Sequence, residues 1–503
     1  MSARGPRTRA RVSSEPVARS LPHVRLADVA AVVPGAETSR DAVVVDAAFD
    51  AGEVAPDALF FCVPGAREDG HAFAHDARRA GAAALVVERW LDDVDLPQVR
   101  VPSVREAMGP MSAVVFGYPA ATLSVVGVTG TNGKTTVTYL LESVFSAAGW
   151  SPGVIGTTGA RIDGAHVPLA RTTPEAPDLH RLLARMRDDG VRVVAVEVSS
   201  HALAYARVDG LVFDVALFTN LSQDHLDLHG SMERYFETKA RLFTPEHARE
   251  GVANADDPWC RRLLDSASIP VSSYAVDTDA SLRATSVEVT PHGIAFRVGD
   301  LAVSSALLGR FNVANCLGVV AVTRALGIDD ESIATGIASV SGVPGRVEPI
   351  EAGQGFLVVV DYAHTPDSIG GVLQAARPLG SGRLIVVFGC GGDRDRAKRP
   401  LMGAAATSEA DLSVITTDNP RSEDPLSIIT DVERGASAGG GAYAVEPDRR
   451  AAIRLALHEA HAGDVVVIAG RGHESVQELD GSTVPFDDRE VAREELLALE
   501  EEA

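Results

Sequence analysis

Apolar residues in this chain gather into short, nearly unbroken aliphatic runs, and between the runs they recur every third or fourth position. An unbroken run suits a strand covered on both faces, and the longer period suits a helix lying over it. The pattern therefore predicts an α/β fold with mostly parallel sheets. The predicted strands are Ala58–Val63, Ala84–Val87, 123–129, Arg192–Val198, Val212–Thr219, Phe356–Asp361, Leu384–Gly389, Leu412–Thr416 and Val465–Ala469. Predicted helical stretches include Phe73–Ala80, 134–148 and Ser231–Phe243.

Breaks at Tyr118-Pro119 and at Gly342-Val-Pro-Gly345 divide the pattern into three predicted domains: a small N-terminal α/β domain over 23–119, a central domain over 120–344 and a C-terminal Rossmann-like, doubly wound domain over 345–503. The second break also suits a hinge. Ahead of them, residues 1–22 carry Arg4, Arg7, Arg9, Arg11 and Arg19 among prolines and serines with little apolar content, and read as a disordered leader, with a transit peptide as the competing reading.

The length of 503 residues exceeds what one hydrophobic core supports, in keeping with several domains. A formal charge of −23 disfavours nucleic acid or an anionic membrane as the main partner, so any anionic substrate must be gripped locally. No stretch approaches the ~20 apolar residues of a membrane span, and the N-terminus lacks a signal-peptide core, so a cytoplasmic protein is expected. Cys62, Cys260, Cys316 and Cys390 are scattered and read as buried thiols of a reducing compartment.

Candidate chemistry begins at Gly127-Val-Thr-Gly-Thr-Asn-Gly-Lys-Thr-Thr136, directly after the run 123–126. Gly130 and Gly133 let consecutive N–H groups of Thr131, Asn132 and their neighbours point at an anion, and a helix opening at Lys134 adds its positive dipole end. Lys134 would reach the β/γ-phosphates and Thr135, followed by Thr136, would offer a hydroxyl to Mg²⁺. The spacing departs from the usual P-loop, because Val128 stands where the first glycine is expected. The central domain is therefore of the P-loop ATPase type. The next two predicted strands end in Glu197, followed by Ser199-Ser-His201, and in Thr219-Asn220 before Asp224-His225. A carboxylate and an imidazole at consecutive strand ends beside a phosphate loop could hold a cation.

These segments, together with Thr172-Thr-Pro174, Gly309-Arg-Phe-Asn-Val-Ala-Asn315, Asp361-Tyr-Ala-His-Thr-Pro366, Phe388–Asp395, Asp418-Asn-Pro-Arg421 and Gly470-Arg-Gly-His-Glu474, resemble the Mur ligase family over about residues 40 to 490. Within it the chain is most similar to the branch that adds meso-diaminopimelate to UDP-N-acetylmuramoyl-L-alanyl-D-glutamate in peptidoglycan synthesis. The resemblance implies ATP-dependent amide formation: a D-glutamyl carboxylate attacks the γ-phosphate, and the incoming amine then displaces phosphate from the acyl phosphate. The expected partners are these small molecules and ATP, with no nucleic acid, no membrane insertion and a monomeric state.

The resemblance also implies site residues. Lys134, Lys239 and His225 are the catalytic set, with Lys239 carbamylated by CO₂ and Thr135, Glu197, His225 and Lys239 holding Mg²⁺. By local sequence alone Lys239 would be a solvated helix lysine paired with its neighbours. Asn312 and Asn315 match the adenine side, with a helix cap as the alternative for Asn312; Arg346 matches a phosphate contact and Asp361 a ribose contact. Thr172, Thr173, Ser199 and Arg207 match the muramoyl-peptide site. Arg394, Asp418, Asn419, Pro420, Arg421, Gly470 and Glu474 match the amino-acid pocket, where the guanidinium of Arg421 suits the second carboxylate of diaminopimelate. His364 has no assigned role.

Departures lie at the uridine end, where Ala51 and Gly52 replace an expected serine and arginine, Pro56-Asp-Ala58 breaks an expected order, and Arg471 replaces a lysine. Three rival readings stand beside this one: a lysine-adding ligase, folylpolyglutamate synthetase, and a catalytically silent muropeptide binder.

Overall fold

The computed structural model describes residues 22–65 and 68–502; all but the last residue of the expected leader lies outside them. Each aliphatic run has become an interior strand. Ala84–Val87 and Val465–Ala469 form with the predicted bounds, and the others end within two residues of them.

The central sheet has nine strands, in the spatial order Ala165–Val167, Gly159–Ile162, Pro152–Gly156, Val193–Glu197, Ser124–Thr129, Phe213–Phe218, Ala248–Asn254, Val271–Ala275, Leu282–Arg283. All neighbours pair in parallel except the three strands at the 152–167 edge, which form an antiparallel meander. Helices Lys134–Ala147 and Phe311–Ala325 pack their apolar sides on one face, and Ala176–Asp188 covers the other, so the sheet is buried on both sides as its unbroken runs demand. A separate three-stranded antiparallel sheet, Thr285–Thr290, Gly293–Val298 and Leu301–Ser305, packs beside the first of these cores.

The C-terminal sheet runs Glu348–Ile350, Leu357–Asp361, Val465–Ala469, Leu384–Phe388, Leu412–Ile415, Ala442–Val445, parallel except at its first strand. The N-terminal sheet, Glu37–Thr38 to Asp46–Ala48 through Gln98–Arg100, Ala84–Val87 and Ala58–Phe61, is likewise parallel but for its first strand. Helix Val104–Val115 joins it to the central layer: Gly109 lies so close to the Asp209 backbone that a Cβ there would collide with it. All four cysteines are buried, and burial pushes the Cys62, Cys316 and Cys390 thiols up to about 12. No helix among the described residues is long and apolar enough to cross a membrane.

Candidate active site

The ligand-side ends of the central strands converge on the loop between Ser124–Thr129 and Lys134–Ala147. Gly130 and Gly133 both have positive φ, 143° and 88°, and added Cβ atoms would strike the Thr219 hydroxyl and the Asn315 amide. Glycine is therefore required at both positions by backbone angle and by space. The loop is braced by the neighbouring strand end: Thr131 N–H donates to the Asn220 carbonyl at 2.9 Å, and Asn132 N–H to Asn220 Oδ1 at 2.9 Å. Lys134 Nζ folds back to the carbonyls of Gly130 and Thr131, 2.8 Å each. Burial lowers its pKa while Glu197 pulls the other way.

Thr135 opens into the same space. Its hydroxyl donates to Glu197 Oε2 at 3.2 Å and accepts from Arg346 Nη2 at 3.2 Å, so a residue from beyond the 342–345 break reaches the phosphate loop. Glu197 is buried and held from its other side by Thr157, whose N–H and hydroxyl donate at 3.0 and 2.9 Å. Thr157 in turn lies 3.1 Å from the Thr172 hydroxyl, while Thr173 donates to the Glu197 carbonyl at 2.6 Å and accepts from the Ser199 N–H at 3.2 Å. Arg207 Nη1 donates to the Thr173 carbonyl at 3.3 Å. Four of the predicted acceptor-site residues thus form one network around Glu197.

Lys239 is 1% exposed, contrary to the local-sequence expectation of a solvated lysine. Helix Met232–Ala240 turns it inward, where Nζ donates to the Gly130 carbonyl at 2.9 Å and to Thr129 Oγ1 at 3.4 Å, over the Tyr235 ring. Burial, with the Lys134 charge added to it, holds its pKa well below the ordinary lysine range. His225 sits in left-handed backbone, φ 54°, with its ring edge-on to His201 at 4.8 Å between centroids. Burial depresses its pKa to about 3, with the charges of His201, His364 and Lys239 acting the same way and Asp224 against. Thr135 and Glu197 are thus in direct contact, and His225 and Lys239 are within electrostatic range of each other. Among the described residues no group of three His, Cys, Asp or Glu side chains forms a ready-made metal cage; a cation here would need the hydroxyl of Thr135 and a modified Lys239.

The C-terminal domain closes onto this site through buried charge. Lys398 Nζ lies 3.3 Å and His364 Nε2 3.6 Å from the carboxylate of Asp224, the residue before His225. Burial alone would raise the pKa of Asp224, yet His364, Lys398 and His225 bring it well below the usual carboxylate range. Gln223 donates to Asp395 at 3.2 Å and Asn132 to Asp367 at 3.2 Å, so the phosphate loop itself touches the C-terminal domain.

Asn312 and Asn315 are both buried and bonded to each other at 2.8 Å; Asn312 donates to the Leu308 carbonyl. Helix Phe311–Ala325 is capped at Arg310, so Asn312 is not its N-cap. Asp361 accepts from the N–H groups of Val347 and Ala363 at 2.8 and 2.7 Å, and burial raises its pKa against the pull of Arg346.

In the C-terminal domain the strand ends 416–421 and 469–474 face each other. Asn419 links them, donating to Glu474 Oε2 at 2.9 Å and accepting from Arg471 at 2.8 Å, while Tyr362 donates to the other Glu474 oxygen. Burial and the Asp418 charge raise the pKa of Glu474. Arg421, in left-handed backbone after Pro420, donates to the Gly392 carbonyl at 2.7 Å and keeps 23% of its side chain open. Gly470, φ 116°, would direct a Cβ into Asp418. Arg394 is exposed and donates to its neighbour's carbonyl, and its side chain lies with that of Arg421 against Gly391. Arg471 is fully buried and acts as a brace.

Sequence reading missed Thr157 and Lys398, whose partners lie 40 and 174 residues away; Asp224, Tyr362 and His364 stood in recognised segments without a role.

Comparison with known proteins gives three family matches: "Mur ligase family, catalytic domain" over 48–114, "Mur ligase middle domain" over 128–323 and "Mur ligase, glutamate ligase domain" over 345–472. A UDP-N-acetylmuramoyl-L-alanyl-D-glutamate--2,6-diaminopimelate ligase of Geobacillus thermodenitrificans is 46% identical over 455 residues, covering 88% of this chain and 93% of that protein. The enzyme of the same name from Streptomyces avermitilis is 44% identical over 509 residues, covering 98% and 99%. A solved structure of such a ligase superposes with a TM-score of 0.65 at 34% identity, covering 91% of this chain and 96% of that one. A folylpolyglutamate synthase of Mycobacterium tuberculosis, at TM-score 0.58 and 19% identity over 71% of this chain, shares the fold.

Proposed function

The chain belongs to the Mur ligase family of ATP-dependent ligases, and on that premise we propose that it adds meso-2,6-diaminopimelate to the D-glutamyl carboxylate of UDP-N-acetylmuramoyl-L-alanyl-D-glutamate in peptidoglycan synthesis. The observation that carries the choice of amino acid is the pairing of Arg421 with Glu474 through Asn419. The far end of diaminopimelate bears both an ammonium and a carboxylate; lysine bears only the ammonium. A partly open guanidinium, set 3.4 Å from Glu478 and joined through Asn419 to the Glu474 carboxylate, answers both charges, and its fork matches a carboxylate through two parallel hydrogen bonds.

Residues 130–136 receive the ATP phosphates, with Asn312 and Asn315 on the adenine side, Asp361 at the ribose and Arg346 at the phosphates. Lys134 is held by carbonyls that a phosphate oxygen can replace, so its charge is poised where negative charge gathers on phosphoryl transfer. Thr172, Thr173, Ser199 and Arg207 aim the acceptor's carboxylate at the γ-phosphorus. The C–O–P bond forms as ADP leaves, and the amine then attacks the acyl phosphate and expels phosphate. Thr135, Glu197, His225 and a carbamylated Lys239 would hold Mg²⁺, which would supply neutralisation of the transferring oxygens. The burial of Lys239 supports its carbamylation: the neutral amine is the form that adds CO₂ with loss of a proton, and this replaces a cation by two hard oxygen ligands. The neutral His225 ring likewise suits a ligand. We place the reaction in the cytoplasm and on a monomer, with 23–119 as the UDP-binding, 120–344 as the ATP-binding and 345–503 as the amino-acid-binding domain.

The test is phosphate release with ATP, Mg²⁺ and the UDP-muramoyl dipeptide, comparing meso-diaminopimelate with L-lysine. Strong preference for diaminopimelate is expected. Preference for lysine would overturn the reading of Arg421, and no turnover with either would turn attention to Ala51 and Gly52.

A further inference from the structure

Glu175, with 5% of its side chain exposed, receives three arginines from three separate parts of the chain. Arg105, on helix Val104–Val115 of the N-terminal domain, reaches Oε2 at 2.6 Å, and Arg171 and Arg207 each reach Oε1 at 3.1 Å. One carboxylate balances one guanidinium, so two positive charges remain. Of the nearby acids, Asp178 and Asp46 share the single guanidinium of Arg181, so they offset one of these charges and leave the other unbalanced. Arg105 and Arg171 keep 30% and 40% of their side chains open, and the ring of Tyr205 stands 5.9 Å from the Arg105 guanidinium and 5.7 Å from that of Arg207.

Like charges held this close repel, and a second anion would relieve the repulsion. Arg207 registers the strain: burial lowers its pKa, Glu175 raises it, and Arg171 and Arg105 lower it further. The cluster is also connected to the reaction centre, since Arg207 donates to the Thr173 carbonyl and Thr173 donates to the carbonyl of Glu197. The glutamyl end of the proposed acceptor carries two carboxylates separated by three carbons, one activated and one left charged throughout.

We propose that Arg105 and Arg171, together with Arg207, seat the carboxylate of the acceptor that does not react, and that Glu175 is the brace that holds the three guanidiniums in place. Arg105 and Arg171 are then specificity-determining residues, and the N-terminal domain contributes to the acceptor's reacting end as well as to its nucleotide end. This inference rests on the acceptor proposed above.

The experiment measures calorimetric binding and steady-state KM on the full chain. It uses UDP-N-acetylmuramoyl-L-alanyl-D-glutamate, the same acceptor with its non-reacting carboxylate converted to an amide, and the acid acceptor lacking the UDP group. Wild type should bind the amide about 10- to 100-fold more weakly than the acid, the worth of a charge-assisted hydrogen bond or two. Arg105→Ala and Arg171→Gln should weaken binding of the acid by a similar factor, leave binding of the amide close to wild type, and leave KM for ATP and the melting temperature unchanged. Arg105→Lys should recover part of the loss. Variants that discriminate acid from amide as wild type does overturn the proposal. So do variants that weaken both UDP-linked acceptors equally and leave the UDP-free acceptor untouched, since the cluster would then grip the pyrophosphate. Failure of wild type to bind the acid acceptor at all would instead sink the acceptor itself.

Discussion

Asp488 offers the sharpest test of how the proposed amino-acid pocket is held together. It is fully buried, accepts from Arg449 Nε at 2.8 Å and Nη2 at 2.6 Å, and lies 4.0 Å from Arg471 Nε. Arg449 spends its other donors on the carbonyls of Ala469 and Thr417, the residues that precede Gly470 and Asp418. Asp488→Asn keeps the shape and removes the charge, leaving the Arg449 guanidinium, 2% exposed, without its counter-ion and Arg471 with Glu474 alone at 3.9 Å. Breaking a buried pair from one side costs about 3–5 kcal/mol. For a domain of this size each kcal/mol lowers the melting temperature by about 2–4 °C, so the C-terminal transition should fall by roughly 6 to 20 °C. Calorimetry on the full chain reads this as a shift of one transition among several, because a multidomain chain need not unfold in one step. KM for diaminopimelate should rise while KM for ATP holds, and replacing both partners together, Asp488→Leu with Arg449→Met, should recover much of the stability. A loss below about 1 kcal/mol, the worth of an exposed pair, would refute the reasoning.

Three further outcomes are expected. Lys239→Ala should lower phosphate release by at least about 100-fold, with partial rescue by formate, and near-normal turnover would remove Lys239 from the ligand set. Arg421→Ala should raise KM for diaminopimelate about 10- to 100-fold with KM for ATP unchanged; equal rises in both would indicate folding damage. His180 is fully buried and burial lowers its pKa from 6.5 to about 4, so the unfolded chain takes up a proton that the folded chain refuses. Stability should therefore fall as pH drops from about 6.5 to about 4, by roughly 3 kcal/mol from this residue, and a His180→Leu variant whose urea midpoint falls as steeply over that window would contradict the assignment.

The parallel sheets were legible because a strand buried on both faces writes an unbroken aliphatic run, as at Val465–Ala469. The turn proposed for phosphate binding was legible because Gly130 and Gly133 sit at backbone angles that other residues resist. The antiparallel sheet over 285–305 went unseen: its first strand, Thr285–Thr290, is largely exposed and shows no such run. The burial of Lys239 could not be read from its helix, since the groups that surround it, the Gly130 carbonyl and the Thr129 hydroxyl, lie about 110 residues earlier. Nor could the gathering of positions 105, 171 and 207 on Glu175, which depends on two domains meeting.

Asp224 and His225 are consecutive, yet one is held by Lys398 and His364 and the other is a ligand of the proposed cation site. Neighbouring Cα atoms stand about 3.8 Å apart on a stiff peptide unit, so what moves one displaces the other. The contact therefore ties the position of the proposed imidazole ligand to that of the C-terminal domain. On the proposed function, acceptor activation with that domain displaced would be slow, which spares ATP from being spent on an acyl phosphate that water would destroy.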